Sequence, residues 1–206
     1  IDGAIVSSDD AISFGAISLG QDLSVTSAGG AITIGAITSS SGRDVTITSS
    51  GGSANTVTLS TLSGGNMNTI AVTGSTSVTL NGNITTNSSS GNSVTITGTT
   101  INTGAITIDT NTNNNDGAIN LVGSVAGSNN NLALDSGGAE ITLSGTAFNL
   151  GSGSLTTTGD INLAANVSIT ATGGITINDK IDADSAGSND RTLTLTSGTG
   201  NTMTFG

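Results

Sequence analysis

The chain has 206 residues, of which 8% are charged and 1% aromatic, with no Pro, Cys, His, Trp or Tyr; 14 acids against 3 bases set a formal net charge of −11. Arg43, Lys180 and Arg191 are scattered among those acids, which argues against a nucleic-acid partner because phosphate binding needs clustered Lys and Arg, and no run approaches the ~20 apolar residues of a membrane-spanning helix. Lack of Cys removes disulfides, thiolate nucleophiles and Cys-ligated zinc, the 31 Gly follow no Gly-X-Y register, and the wealth of Ile, Val and Thr with so little charge is unlike a disordered chain.

Along the chain no helix is predicted, because Ser, Thr, Asn and Gly dominate and favour strands, caps and turns. Alternation of apolar and polar residues marks strands with one buried face. It begins at Ile12-Ser-Phe14, Leu23-Ser-Val25, Ile32-Thr-Ile34, Val45-Thr-Ile47 and Val57-Thr-Leu59. It continues through Val78-Thr-Leu80, Val94-Thr-Ile96, Ile106-Thr-Ile108, Ile119-Asn-Leu121, Leu132-Ala-Leu134 and Ile141-Thr-Leu143. It ends with Ile161-Asn-Leu163, Val167-Ser-Ile169, Ile175-Thr-Ile177, Leu193-Thr-Leu195 and Met203-Thr-Phe205. Gly-Gly, Ser-Gly, Asn-Gly and Asn-rich clusters between them are turn chemistry. Asn111 to Asp116, Ser128 to Asn131 and Asp182 to Asp190 read as longer loops or protrusions.

Equivalent pairs return every 20 to 25 residues: Ile12 with Ile32, Leu23 with Val45, Val57 with Val78, Val94 with Ile119, Ile119 with Ile141, Ile141 with Ile161. The phrase Ile32-Thr-Ile34-Gly35-Ala36-Ile37 echoes Ile12-Ser-Phe14-Gly15-Ala16-Ile17, and Gly104-Ala105-Ile106 and Gly117-Ala118-Ile119 echo part of it. Such a period fits one coil of a solenoid. The expected fold is an all-β, right-handed parallel β-helix of roughly nine coils, about 45 Å long at ~4.8 Å per coil, with residues 1–206 forming a single domain. An antiparallel sandwich is the alternative, but its two-layered core usually includes large aromatics, whereas a narrow coil fills with single stacks of Ile, Val, Leu and Ala. Gly then serves the corners, where the chain bends sharply.

The Gly-Ala-Ile-Thr-Ile and Val-Thr-Ile-Thr phrases followed by Gly-Gly or Ser-Gly resemble coils of filamentous haemagglutinin-type exoproteins and related giant, repeat-rich bacterial surface proteins. The stretch from Ile181 through Asp184, Gly187, Asp190, Leu193 and Leu195 to Met203, Phe205 and Gly206 is similar to a unit that recurs in such proteins. The resemblance implies an extracellular, elongated, adhesive or scaffold-forming protein at the cell surface. The family's N-terminal secretion domain has no counterpart in this sequence.

Catalytic chemistry finds few residues to work with. Without His, Cys or Tyr the common general bases and activated nucleophiles are missing, so no enzyme, no catalytic residue and no cofactor are expected. Asp9-Asp10 reads as a solvated turn before the next strand. Asp182-x-Asp184-x-x-Gly187-x-x-Asp190 places acids at positions 1, 3 and 9 and Gly at 6 of a calcium loop, but Ala186 and Leu193 occupy positions where oxygen ligands belong; an acidic turn is the expected reading and no metal site is assigned. Thr46-x-Thr48, Thr95-x-Thr97 and Thr192-x-Thr194-x-Thr196 resemble ranks of an ice-binding face, yet they lie 49 and 97 residues apart. Asn111 to Asn115 and Asn129 to Asn131 offer donors and acceptors to a glycan, or simply polar loops. Asn87-Ser88-Ser89 matches a glycosylation sequon, which carries little force in a bacterial protein.

A solenoid ends in unpaired strand edges over an apolar core, and no capping helix or charged terminal coil is apparent at either end. Joining Met203-Thr-Phe205-Gly206 to Ile1-Asp-Gly3-Ala4-Ile5 approximates Phe14-Gly15-Ala16-Ile17. Starting at Ile1, the chain reads as processed or cut from something longer. The expected function is therefore that of a structural segment of an extracellular fibre or giant adhesin. Its expected partner is itself, head to tail or as a continuing chain, because a non-closing heterologous contact makes a filament. A binding module for a cell-surface glycan, or for ice, is the alternative.

Overall fold

The computed structural model describes residues 3–52, 55–64, 67–87, 93–185 and 189–206. Every long stretch of alternation becomes a strand, and the strands wind as a parallel β-solenoid with three faces per coil. Face one opens with Gly3–Ser7, which pairs in parallel with Leu23–Ser27, itself paired with Arg43–Ser49. Face two opens with Ile12–Phe14 against Ile32–Ile34 and then Thr56–Leu59. Face three opens with Ile17–Leu19 against Ile37–Ser39 and then Leu62–Gly64. Farther along, single strands bend round a corner to serve two faces: Met67–Leu80 pairs with Arg43–Ser49 through its first half and with Thr56–Leu59 through its second.

Each face is nine rungs deep. On face two the register runs Ile12, Ile32, Val57, Val78, Ile101, Val125, Phe148, Ile169, Leu195. Eight steps of about 4.8 Å separate the first rung from the last, about 38 Å. All six residue pairs matched in the sequence by their spacing are register partners. The phrase at 12–17 likewise lies over its echo at 32–37. Of the partial echoes, Ile106 returns to face three, the face of Ile17, but two residues before its column, which passes through Ile108, and Ile119 falls on face one, because a three-residue phrase carries too little information to fix its register.

The core consists of these stacked columns. Val25, Ile47, Val72, Ile96, Leu121, Leu143 and Leu163 lie one over another, all buried. Each such side chain contributes about 1.5–3 kcal/mol through removal from water. Outward neighbours on the same strands are mostly Ser, Thr and Asn, which suit a solvated pleated surface, with Ala71 and Val122 as exceptions. Polar residues also enter the columns: Ser39 stacks on Leu19 and Thr103 on Leu80, and Thr157 stands between Leu134 and Ile177, the hydroxyls of Thr103 and Thr157 being buried and unpartnered.

Corners are held by side chains that replace the interrupted main-chain ladder. The amide of Asp44 donates to Asp22 Oδ1 at 3.1 Å, and that of Thr69 to Asp44 Oδ1 at 3.0 Å. Asn83, Asn131 and Asn166 accept in the same manner from the amides of Thr107, Ser154 and Thr192, at 2.9, 2.9 and 3.0 Å. Each bond reaches into the next coil, so Asn and Asp act here as coil-to-coil staples. Buried hydroxyls close the third corner: Thr110 donates to the Gly117 carbonyl and Ser136 to that of Ala139. Among the described residues the only helical element is the short 3₁₀ turn Thr112–Asn114, and no helix is long and apolar enough to cross a membrane.

Candidate functional surfaces

The two Asn-rich loops point to different edges. Asn111 to Asn115 lie between Ile106–Asp109 and Ala118–Ala126, at the edge joining face three to face one. Asn129 to Asn131 lie between Ala118–Ala126 and Leu132–Leu143, at the edge joining face two to face three. No single ligand platform gathers both. Asn111 is engaged locally, its amide N–H donating to Asp109 Oδ1 at 2.9 Å. Asn129 and Asn131 spend their Oδ1 atoms on the amides of Ser152 and Ser154. Beside Asn131 an open depression of about 410 Å³ on face three is lined by Asn83, Thr107, Ser154 and Thr156. Its lining mixes these polar uncharged groups with Ala105, Ile106, Leu132 and Ala133 and has no charged or aromatic side chain, so it offers a few hydrogen bonds and no stacking platform.

The acidic residues singled out in the sequence lie at two places, the bend at Asp9 and Asp10 and the segment from Asp182 to Asp190. Asp9 and Asp10 occupy an exposed bend, where the Asp10 amide donates to Ser7 Oγ at 3.0 Å and its carbonyl accepts from Ser27 Oγ at 3.1 Å. Asp182 lies on face one beside Asn162. Asp184–Ser185 pairs antiparallel with Asn189–Asp190, so the segment projects as a small ribbon between face one and face two. Gly187 falls outside the described residues. Asp184 and Asp190 are cross-strand partners in the main-chain register. No group of three or more Asp or Glu suited to a metal occurs among the described residues.

The Thr ranks also resolve. Thr46 and Thr48, and Thr95 and Thr97, both belong to face one, with Ala71 and Thr73 between them. Thr194 and Thr196 belong to face two. The 49-residue gap in sequence is thus two coils in space, and the 97-residue gap crosses to another face.

Charge is sorted across the section of the rod, which spacing alone did not reveal. Asp22, Asp44, Asp116, Glu140 and Asp160 cluster along the edge between face three and face one. Glu140 and Asp160 are register partners, and Lys180 Nζ meets Asp160 Oδ2 at 3.1 Å with both side chains largely exposed. Asp109 and Asp135 are partners at the far end of face three, against that edge. Face two, from Ile12–Phe14 to Leu193–Ser197, carries no charged residue at all.

The final coil leaves core positions open. Met203 and Phe205 pair with Ile175 and Ile177, which are 0% exposed, yet are themselves 44% and 55% exposed. At the opposite end the core position is held by Ile5, half-buried beside Val25, while Val6, 74% exposed, lies over Thr26 in an outward column. Met203–Phe205 lies on face three whereas Phe14 lies on face two, so a junction from Phe205 through Gly206 to Ile1 would not reproduce the corner at Phe14 to Ile17.

These features define a parallel β-solenoid repeat protein. The chain matches no family model, no curated protein and no solved structure.

Proposed function

We propose that the chain is a structural segment of a bacterial surface fibre or giant adhesin, a rigid spacer whose coils are continued end on by further coils. The observation that carries this reading is the sameness of successive rungs: each coil pairs in parallel and in register with the next, so a further coil adds length to the rod without altering its section. The strand edges at the end of any such stack are templates for further pairing. Nine in-register rungs packed about aliphatic columns supply stiffness of the cross-β type, and the net charge of −11 opposes indiscriminate clumping. The extracellular placement and the adhesin class rest on the resemblance of its coil phrases to filamentous haemagglutinin-type exoproteins.

The test is negative-stain imaging of the purified 206-residue chain, alone and with Met203→Asp and Phe205→Asp together. Filaments many times longer than a ~38 Å rod, shortened to single rods by the double substitution, are expected from stacking at about 4.8 Å per coil. Compact single rods from the unsubstituted chain at all concentrations would refute end-on assembly of this segment.

A further inference from the structure

Face two is the broad uncharged surface of a strongly acidic rod. Its two outward columns, one running from Ser13 to Thr196 and the other from Thr56 to Thr194, contain only Ser, Thr, Asn and Ala. Between Thr56–Leu59 and Val167–Ala171 the flanking bends add no charge either. In a three-sided section the acidic edge between face three and face one lies opposite this face. Two copies approaching through face one or face three bring Glu140 and Asp160, or Asp109 and Asp135, toward their counterparts; approaching through face two they set those carboxylates on opposite outer edges, beyond a Debye length of about 8 Å.

Period and shape argue for the same occupant. A second copy carries the identical rung spacing, so its outward columns stay in step with these at every coil, as in the dry interfaces between stacked sheets. Small side chains allow the two sheets to approach closely. Ser and Thr hydroxyls both donate and accept, and among the described residues Thr79 alone of the hydroxyls in these columns takes a hydrogen bond, from Asn102 Nδ2 at 3.4 Å; the rest are available across an interface. A face about 38 Å by 13 Å buries on the order of 1,000 Å² in total when paired, at the lower end of specific interfaces. Pairing of one segment is therefore weak and strengthens with the number of coils in register.

We propose that face two is a side-by-side docking surface for a second copy of this chain, joining rods laterally with their acidic edges outward. This is independent of end-on stacking, which sets length, whereas lateral pairing sets width.

Sedimentation velocity of the 206-residue chain up to about 1 mM, with width measured in negative stain, tests it. Self-association into double-width particles is expected, weakened at least about tenfold by Thr79→Glu with Thr170→Glu, since opposed like charges oppose docking. The face-one pair Thr48→Glu with Thr97→Glu is expected to leave it unchanged, each variant being compared only if its β-sheet circular dichroism and melting match the parent. Single-width particles throughout, or equal loss from both pairs, would overturn the proposal. So would single-width parent rods that inhibit ice growth and lose this with Thr79→Glu, which would assign the face to an ordered water lattice.

Discussion

Ser27 and Ser49, register partners on adjacent rungs of face one, clasp the main chain of Gly30 from both sides. The Gly30 amide donates to Ser27 Oγ at 2.9 Å, and the Gly30 carbonyl accepts from Ser49 Oγ at 2.8 Å. Both serines are fully buried, and Ser27 also donates to the Asp10 carbonyl at 3.1 Å. Three successive coils are thereby bonded at one corner, where the sheet ladder itself is broken. Farther along, the same corner column passes to Gly74 and Gly98, because the chain there turns directly and leaves no space for a side chain.

Ser49→Ala is expected to destabilise the first coils by about 1–3 kcal/mol, the cost of leaving a buried acceptor unpaired. Ser27→Ala removes two bonds and should cost more. Urea titrations of each variant followed by circular dichroism check the order; equal stability of both with the parent would contradict the role assigned to this corner.

Ile96 is fully buried and Thr33 is exposed. Ile96→Ala should cost about 2–5 kcal/mol through the cavity it leaves in a stack that cannot collapse without shifting its neighbours. Thr33→Ala should stay within about 0.5 kcal/mol. Thermal melts that fail to separate the two would invert the assignment of inside and outside.

Asn131 serves as an acceptor only, toward the Ser154 amide. Asn131→Asp keeps an oxygen in that place and is expected to be nearly neutral, whereas Asn131→Ala should lose about 0.5–1.5 kcal/mol. Faster hydrogen exchange at the Ser154 amide in the Ala variant alone would report the lost staple directly.

Two glycines make opposite predictions. Gly123 has φ +139, and a Cβ there would collide with the carbonyl oxygen of Gly98 on the coil before. Gly123→Ala should cost more than the about 1–3 kcal/mol of backbone strain alone. Gly15 has open space where a Cβ would stand, and Gly15→Ala should be neutral or stabilise by about 0.4–1 kcal/mol through the unfolded chain. A pair of melting temperatures distinguishes them.

The Lys180 to Asp160 ion pair is largely exposed, 84% and 48% for the two side chains. Lys180→Ala is expected to change stability by less than about 1 kcal/mol. A loss beyond 2 kcal/mol in a denaturant titration would show a structural role that solvent screening should prevent.

Much of the architecture was legible in the sequence because period-two alternation and coil-length repetition are both linear signals. Leu23 and Val45 match as equivalent on spacing alone, since a residue that alternates inward on one coil has a counterpart one coil later. The corners were not legible in the same way. Nothing in the sequence marks Asp22, Asp44, Asn83 and Asn131 as staples, because the amide each one accepts from lies some 22 to 25 residues away and coil length varies between those bonds.

Composition and local pattern alone determined that this chain makes short strands, packs aliphatic side chains in stacks and repeats every 20 to 25 residues. Only the tertiary structure decided which strands share a face, that the acids gather along one edge while face two carries no charge, and that Asp184 and Asp190 meet as cross-strand partners. The physical reason is that alternation dictates inside against outside at each residue, whereas the direction in space of an outward side chain depends on how many residues every preceding corner has used.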